Sequence, residues 1–218
     1  AIKALEKEAR EAEAVVFLSG DVIPNRKSLR KLASTLQDPS VGCAIAHPIP
    51  LNSGKKLSGK LVNMLWCLHD EMNRFGWHKV TGEMFAVKRS VLEEIPEGVI
   101  NDDLYIEYLV NKRKLKFAYT PDAMVYIWGP ESLMELLEQR RRVNLGHLQI
   151  VKQYKPQHLS ISNTVKLSST LIMKYNPIDT VIFCLIEGFS RLIAYLDNFR
   201  GKHTPTWKPI KTSKGGVE

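Results

Sequence analysis

Cysteine, aromatic side chains and long apolar runs are all scarce in this chain, and each shortage removes a class of answer. The three cysteines, Cys43, Cys67 and Cys184, lie far apart, with no CxxC pair and no histidine at zinc-finger spacing. Neither a disulfide framework nor a structural zinc site is expected, and the chain reads as intracellular and reduced. Aromatics are not interleaved with the basic clusters, which leaves little for base stacking on a nucleic acid. The most apolar stretch, Val181 to Leu196, is broken by Glu187 and Arg191 and preceded by Asp179. A spanning helix wants about 20 nearly uninterrupted apolar residues, so no transmembrane helix is expected there. The first ten residues form a charged amphipathic pattern rather than a basic start followed by an apolar block, so no signal peptide is expected. The missing initiator Met reads as a processed or trimmed chain.

What remains is 218 residues, 44% of them hydrophobic, enough for one main domain with appendages and too mixed for disorder or a coiled coil. Lys and Arg outnumber Asp and Glu by 31 to 23, a net charge of +8, which favours anionic partners. Ala14 to Leu18 is a short β-branched and aromatic run ending in Ser19-Gly20-Asp21, and Pro24 and Asn25 open an amphipathic helix over Arg26 to Gln37. A strand follows at Val41 to Ala46, then a helix at Leu57 to Asn73, a strand at Glu83 to Val87 and a short helix at Arg89 to Ile95. Asn101-Asp102-Asp103 opens a helix to about Lys112. Two strands, Leu115 to Tyr119 and Ala123 to Trp128, precede a long helix from Glu131. Such alternation predicts an α/β sheet flanked by helices. Beyond Pro156, two apolar-rich helices, Leu159 to Lys174 and Ile178 to Phe199, predict a helical C-terminal appendage. The expected division is 1–156, 157–200 and a polar tail at 201–218.

Three places carry candidate chemistry. Asp21, expected at the end of a buried strand of parallel type, stands where ligands usually bind in open α/β sheets, and could hold Mg²⁺ or Mn²⁺ brought by a phosphorylated substrate or merely cap the next helix. Asp102 and Asp103, downstream of Thr81-Gly82-Glu83, could work as base and partner or simply suit a helix N-terminus. Gln139 and Arg142 share a helix face and could address one anionic group, or belong to a solvated basic face.

Taken in order, Ser19-Gly20-Asp21, Gly82-Glu83-Met84-Phe85, Asn101-Asp102-Asp103-Leu104, Thr120-Pro121-Asp122-Ala123 and Gln139-Arg140-Arg141-Arg142-Val143 resemble the second half of a glycosyltransferase family 2 catalytic domain over residues 1 to 150. The resemblance implies a partial GT-A-like (Rossmann-like) α/β sheet without the family's N-terminal nucleotide-binding strands. It also implies an enzyme moving sugar from a nucleotide-sugar donor to a glycan or lipid-linked acceptor by inverting displacement with a divalent cation. Asp21 would be the metal ligand, with Ser19 replacing the motif's first Asp. Asp103 would be the general base beside Asp102, while Ser19, Gly82, Glu83, Gln139 and Arg142 would bind substrate. Val143 replaces the Trp of a Gln-x-x-Arg-Trp motif. The tail from Trp207 to Lys214 resembles membrane-associated members, implying the cytoplasmic face of a membrane and a peripheral membrane or homo-oligomer contact through 159–199. The apolar face there is expected from Phe183, Leu185, Ile186, Phe189 and Leu192. The alternative is a non-enzymatic basic module for nucleic acid, for which no motif is present, or for an anionic membrane surface.

Overall fold

The computed structural model describes residues 11–154 and 169–201. The amphipathic helix expected over the first residues, and most of the helix expected over 159–174, lie outside them. Five strands, β1 (Ala14–Leu18), β2 (Ile23–Pro24), β3 (Val41–Pro50), β4 (Met84–Lys88) and β5 (Lys116–Ile127), form one sheet in the order β1-β4-β3-β5-β2. Among the described residues, five helices accompany them: α1 (Ser28–Thr35), α2 (Leu57–Arg74), α3 (Asp102–Lys112), α4 (Leu133–Tyr154) and α5 (Pro177–Phe199).

The two central strands are buried on both faces, and alternation sorts their side chains. Cys43 and Ile45 of β3 and Phe85 and Val87 of β4 point to one face, where Leu104, Ile106, Leu109 and Val110 of α3 cover them. Ala44, Ala46, Met84 and Ala86 point to the other, under Leu32 and Leu36 of α1. A third apolar cluster joins α2 (Leu61, Met64, Leu65) to Ile127, Leu136 of α4 and Phe183 of α5. The C-terminal helix is thus seated on the body by core packing. Lys60–Asp179, Arg140–Glu187 and Arg141–Asp197 ion pairs add to that seating.

The structure corrects four sequence expectations. The strand ending in Asp21 is not of parallel type: β1 is an edge strand, antiparallel to β4, and only β3 and β5 run parallel. The two strands expected at 115–128 are one, β5, with an irregularity between Tyr119 and Met124, because Pro121 has no N–H for the ladder and Thr120-Pro121-Asp122 loops out while pairing resumes beyond it. The helix expected over Arg89 to Ile95 is a single 3₁₀ turn, Arg89–Val91. On α5, Phe183 is buried and Ile186 packs against the same cluster, so neither belongs to the outward face.

Candidate active site

Antiparallel pairing brings two motifs together. Leu18 of β1 stands opposite Met84 of β4, so Ser19-Gly20-Asp21 leaves β1 at the edge where Thr81-Gly82-Glu83 enters β4. Ser19 N–H donates to the Glu83 carbonyl at 3.1 Å. The N-terminus of α3 and the first half of α4 close over the same edge. Between them lies a cavity of about 420 Å³, within the range of small-ligand sites.

Asp21, Ser19, Gly82, Glu83, Asp102, Asp103 and Gln139 all line this cavity, and Arg142 does not; Arg140 and Val143 present the α4 wall instead. Arg142 sits at the margin of that helix face, half-buried, and burial pushes its guanidinium down to about 10. Trp66 and Trp128 line another wall.

The acids differ in environment. Asp21 is exposed and its Oδ1 accepts from Ser19 Oγ at 2.6 Å. Asp102 is exposed, and its Oδ1 accepts from the Asp103 N–H at 3.0 Å. Asp103 is more enclosed: its Oδ1 accepts from the Leu104 N–H at 2.8 Å, and burial raises its carboxyl above the ordinary value while Lys79 pulls it back. Glu83 has a buried Oε2 with no hydrogen-bond partner, and burial, with Asp103 and Asp21 nearby, pushes it up to about 7.

Sequence reasoning missed a second set of groups behind these. Glu107, one turn beyond Asp103, accepts the Val80 N–H at 2.7 Å and is pushed up to about 7 by burial. Lys79 lines the cavity with its Nζ 2.9 Å from His147 Nε2. An ammonium only donates, so that ring nitrogen accepts and His147 is neutral, its pKa driven down to about 2 by burial and the Lys79 charge. His69 also lines the cavity and is held neutral by burial. Asn101 is buried and its Nδ2 donates to the Val143 carbonyl at 3.1 Å, tying the start of α3 to α4. The one sequence signal for that contact was Gly146, a glycine inside a helix; a Cβ there would come within 2.4 Å of the Asn101 side chain.

For a divalent cation, the fit is of one kind only. Among the described residues no three His, Cys, Asp or Glu side chains converge as a cation cage. A single strand-end carboxylate such as Asp21 suits instead an ion carried in on substrate phosphates, which needs one or two protein carboxylates.

An α/β sheet with helices on both faces and an acid-lined cavity at a strand end is the fold class expected of a GT-A-like transferase, and the comparisons agree. Residues 1–145 match the family described as Glycosyltransferase like family 2, and the chain belongs to that family, one of glycosyl transfer. No curated protein matches it. Among solved structures it is similar to a mannosyltransferase of Pyrobaculum calidifontis in complex with GDP-Man and Mn²⁺. That match has 15% identity and a TM-score of 0.56 and covers 93% of this chain and 67% of that one, a likeness of fold.

Proposed function

We propose that the chain transfers a sugar from a nucleotide-sugar donor to an acceptor hydroxyl, on a glycan or a lipid-linked glycan, by a single inverting displacement at the cytoplasmic face of a membrane. The observation that carries this reading is the meeting of Asp21, Glu83, Asp103 and Gln139, from four separate motifs, in one cavity. Asp103 takes the acceptor hydroxyl proton as that oxygen attacks the anomeric carbon. The bond from that carbon to the donor breaks and its electron pair leaves on the nucleoside diphosphate. Burial suits Asp103 to this, since it makes the carboxylate a stronger base than an exposed aspartate. Asp102, exposed beside it, orients it through the Asp103 N–H. Gln139 faces the cavity and binds donor or acceptor. Arg142, at the margin of the same helix face, offsets charge on the leaving group. Asp21 would hold a Mg²⁺ or Mn²⁺ arriving with the donor, and such an ion would supply positive charge against the diphosphate. Trp66 and Trp128 offer the sugar-facing aromatic surface that Val143 does not. The division into residues 1–156 for transfer, 157–200 as the appendage and 201–218 as the tail goes with this reading.

Nothing among the described residues favours the nucleic-acid alternative. Lys112 and Arg113 are paired with Glu93, and Arg140 and Arg141 with Glu187 and Asp197, so both basic clusters of the sequence are largely engaged internally.

The test is transfer from a panel of nucleotide sugars, with donor affinity measured in parallel. Asp103→Asn keeps the shape and loses the basicity, so turnover is expected to fall about 10²–10⁴-fold with donor affinity nearly unchanged. Transfer at the wild-type rate removes Asp103 as the base. Arg142→Lys is expected to weaken donor use because it keeps the charge and loses the planar two-pronged donor.

A further inference from the structure

The outward face of α5 is an exposed apolar surface that the cavity does not use. Ile178, Val181, Leu185, Phe189, Leu192 and Phe199 recur at three-, four- and seven-residue intervals and are between 54% and 84% exposed. On a helix advancing about 100° per residue they form one stripe. No charged residue falls within that stripe. The helix has three acids, Asp179, Glu187 and Asp197, and all three are turned to the body, where Lys60, Arg140 and Arg141 pair with them. Its one arginine, Arg191, and the residue capping its C-terminus, Arg200, are exposed and by helical position fall on opposite sides of the stripe. The sequence on either side continues the pattern. Residues 155–168 carry two lysines and no acid, and residues 202–218 carry four lysines and one glutamate.

We infer that α5 lies in the surface of an anionic lipid bilayer, its stripe sunk into the acyl boundary and Arg191 and Arg200 at the phosphate level. Apolar burial combined with basic margins is the requirement for such a helix, and each cation near an anionic leaflet adds attraction. The helix cannot cross instead: among the described residues none is long and apolar enough, and crossing would strip three acids of their partners. A second copy of the chain fits less well. Pairing two such faces would bring both sets of basic margins together with no acid in the stripe to offset them, whereas anionic headgroups neutralise all of them. The inference rests on this surface alone, and its test involves no turnover.

The full chain is sedimented with vesicles of phosphatidylcholine alone and of phosphatidylcholine mixed with phosphatidylglycerol. Binding to the anionic vesicles is expected, at least about tenfold tighter than to the neutral ones. Leu185→Asp with Phe189→Asp, at two exposed positions, is expected to lose at least about tenfold of that binding while keeping the circular dichroism spectrum and melting temperature. Phe199→Asp, in the last residue of the helix, gives a second reading with little leverage on folding and is expected to weaken binding several-fold. Wild-type chain that stays with the supernatant, or a folded double variant that binds as the wild type does, overturns the inference. So does a dimer seen by light scattering that the double variant abolishes in the absence of vesicle binding, which assigns the face to a second copy.

Discussion

Glu107 shows how a residue with no motif of its own shapes the site. It shares a helix face with Asp103 one turn away, and its carboxyl is enclosed, accepting the Val80 N–H. In the unfolded chain it ionises near the ordinary glutamate value, in the folded chain only near 7. Between those values the folded state holds the extra proton. Its contribution to stability is therefore complete below the unfolded value and is lost as pH rises through 7. Glu107→Gln retains an acceptor for Val80 and removes the titration. Urea unfolding across that window is expected to show a shallower decline, with the variant gaining on the order of 2 kcal/mol relative to wild type by about pH 8. The slope that persists sums the other buried groups, Glu83 and Asp103 in the same direction and His69 and His147 in the opposite one. Parallel curves for the two proteins would mean that Glu107 is ionised in the fold at all these values. Asp21, Asp102, Asp103 and Gln139 were legible in the sequence because they belong to spaced motifs. Lys79, His69, Glu107 and His147 were not, because their meeting is decided by how α2, α3, α4 and the loop carrying Lys79 come together, and local spacing carries no record of it.

At the scale of elements, the core strands announced themselves. Residues buried on both faces give continuous apolar runs, and Val41-Gly42-Cys43-Ala44-Ile45-Ala46 and Met84-Phe85-Ala86-Val87 are such runs. The split reading of β5 failed for a local reason: Thr120-Pro121-Asp122 has the chemistry of a turn, and the sheet absorbs it as a bulge on a strand whose partner β3 runs past it unbroken. The fit of α3 against α4 was also out of reach, since it rests on Asn101 lying over Gly146. Gly146→Ala should gain up to about 1 kcal/mol in helix propensity. The added methyl meets the buried Asn101 amide at 2.4 Å, and such overpacking costs about 1–3 kcal/mol. The expected net result is a destabilised protein with lowered transfer, because the displaced residue immediately precedes Asp102 and Asp103. Adding Asn101→Ala restores the room, so stability is expected to recover further than transfer does. A single variant as stable as the wild type would show that the two helices slide apart without strain.

For the molecule as a whole, α5 backs the α4 wall of the cavity without lining it and presents a free surface on its other side, and Arg140 is where the two roles meet. It lines the cavity on one side and pairs with Glu187 of α5 on the other. Their side chains are only 12% and 15% exposed, so the pair sits largely out of water, where losing one partner strands the other's charge. Glu187→Ala is expected to cost about 3 kcal/mol in urea unfolding and to loosen α5. Replacing both, Arg140→Met with Glu187→Leu, leaves no stranded charge and fills the space, so most of that loss is expected to return. Transfer then separates the roles. If Arg140 serves only to fasten α5, the stable double variant turns over as the wild type does. If its guanidinium also helps the cavity hold an anionic group, the double variant stays folded while its donor affinity falls, and the single variant, which keeps Arg140, binds donor better than the double despite being the less stable protein. A double variant as unstable as Glu187→Ala would show that the fastening is specific to this ion pair and not to the burial of its place in the fold.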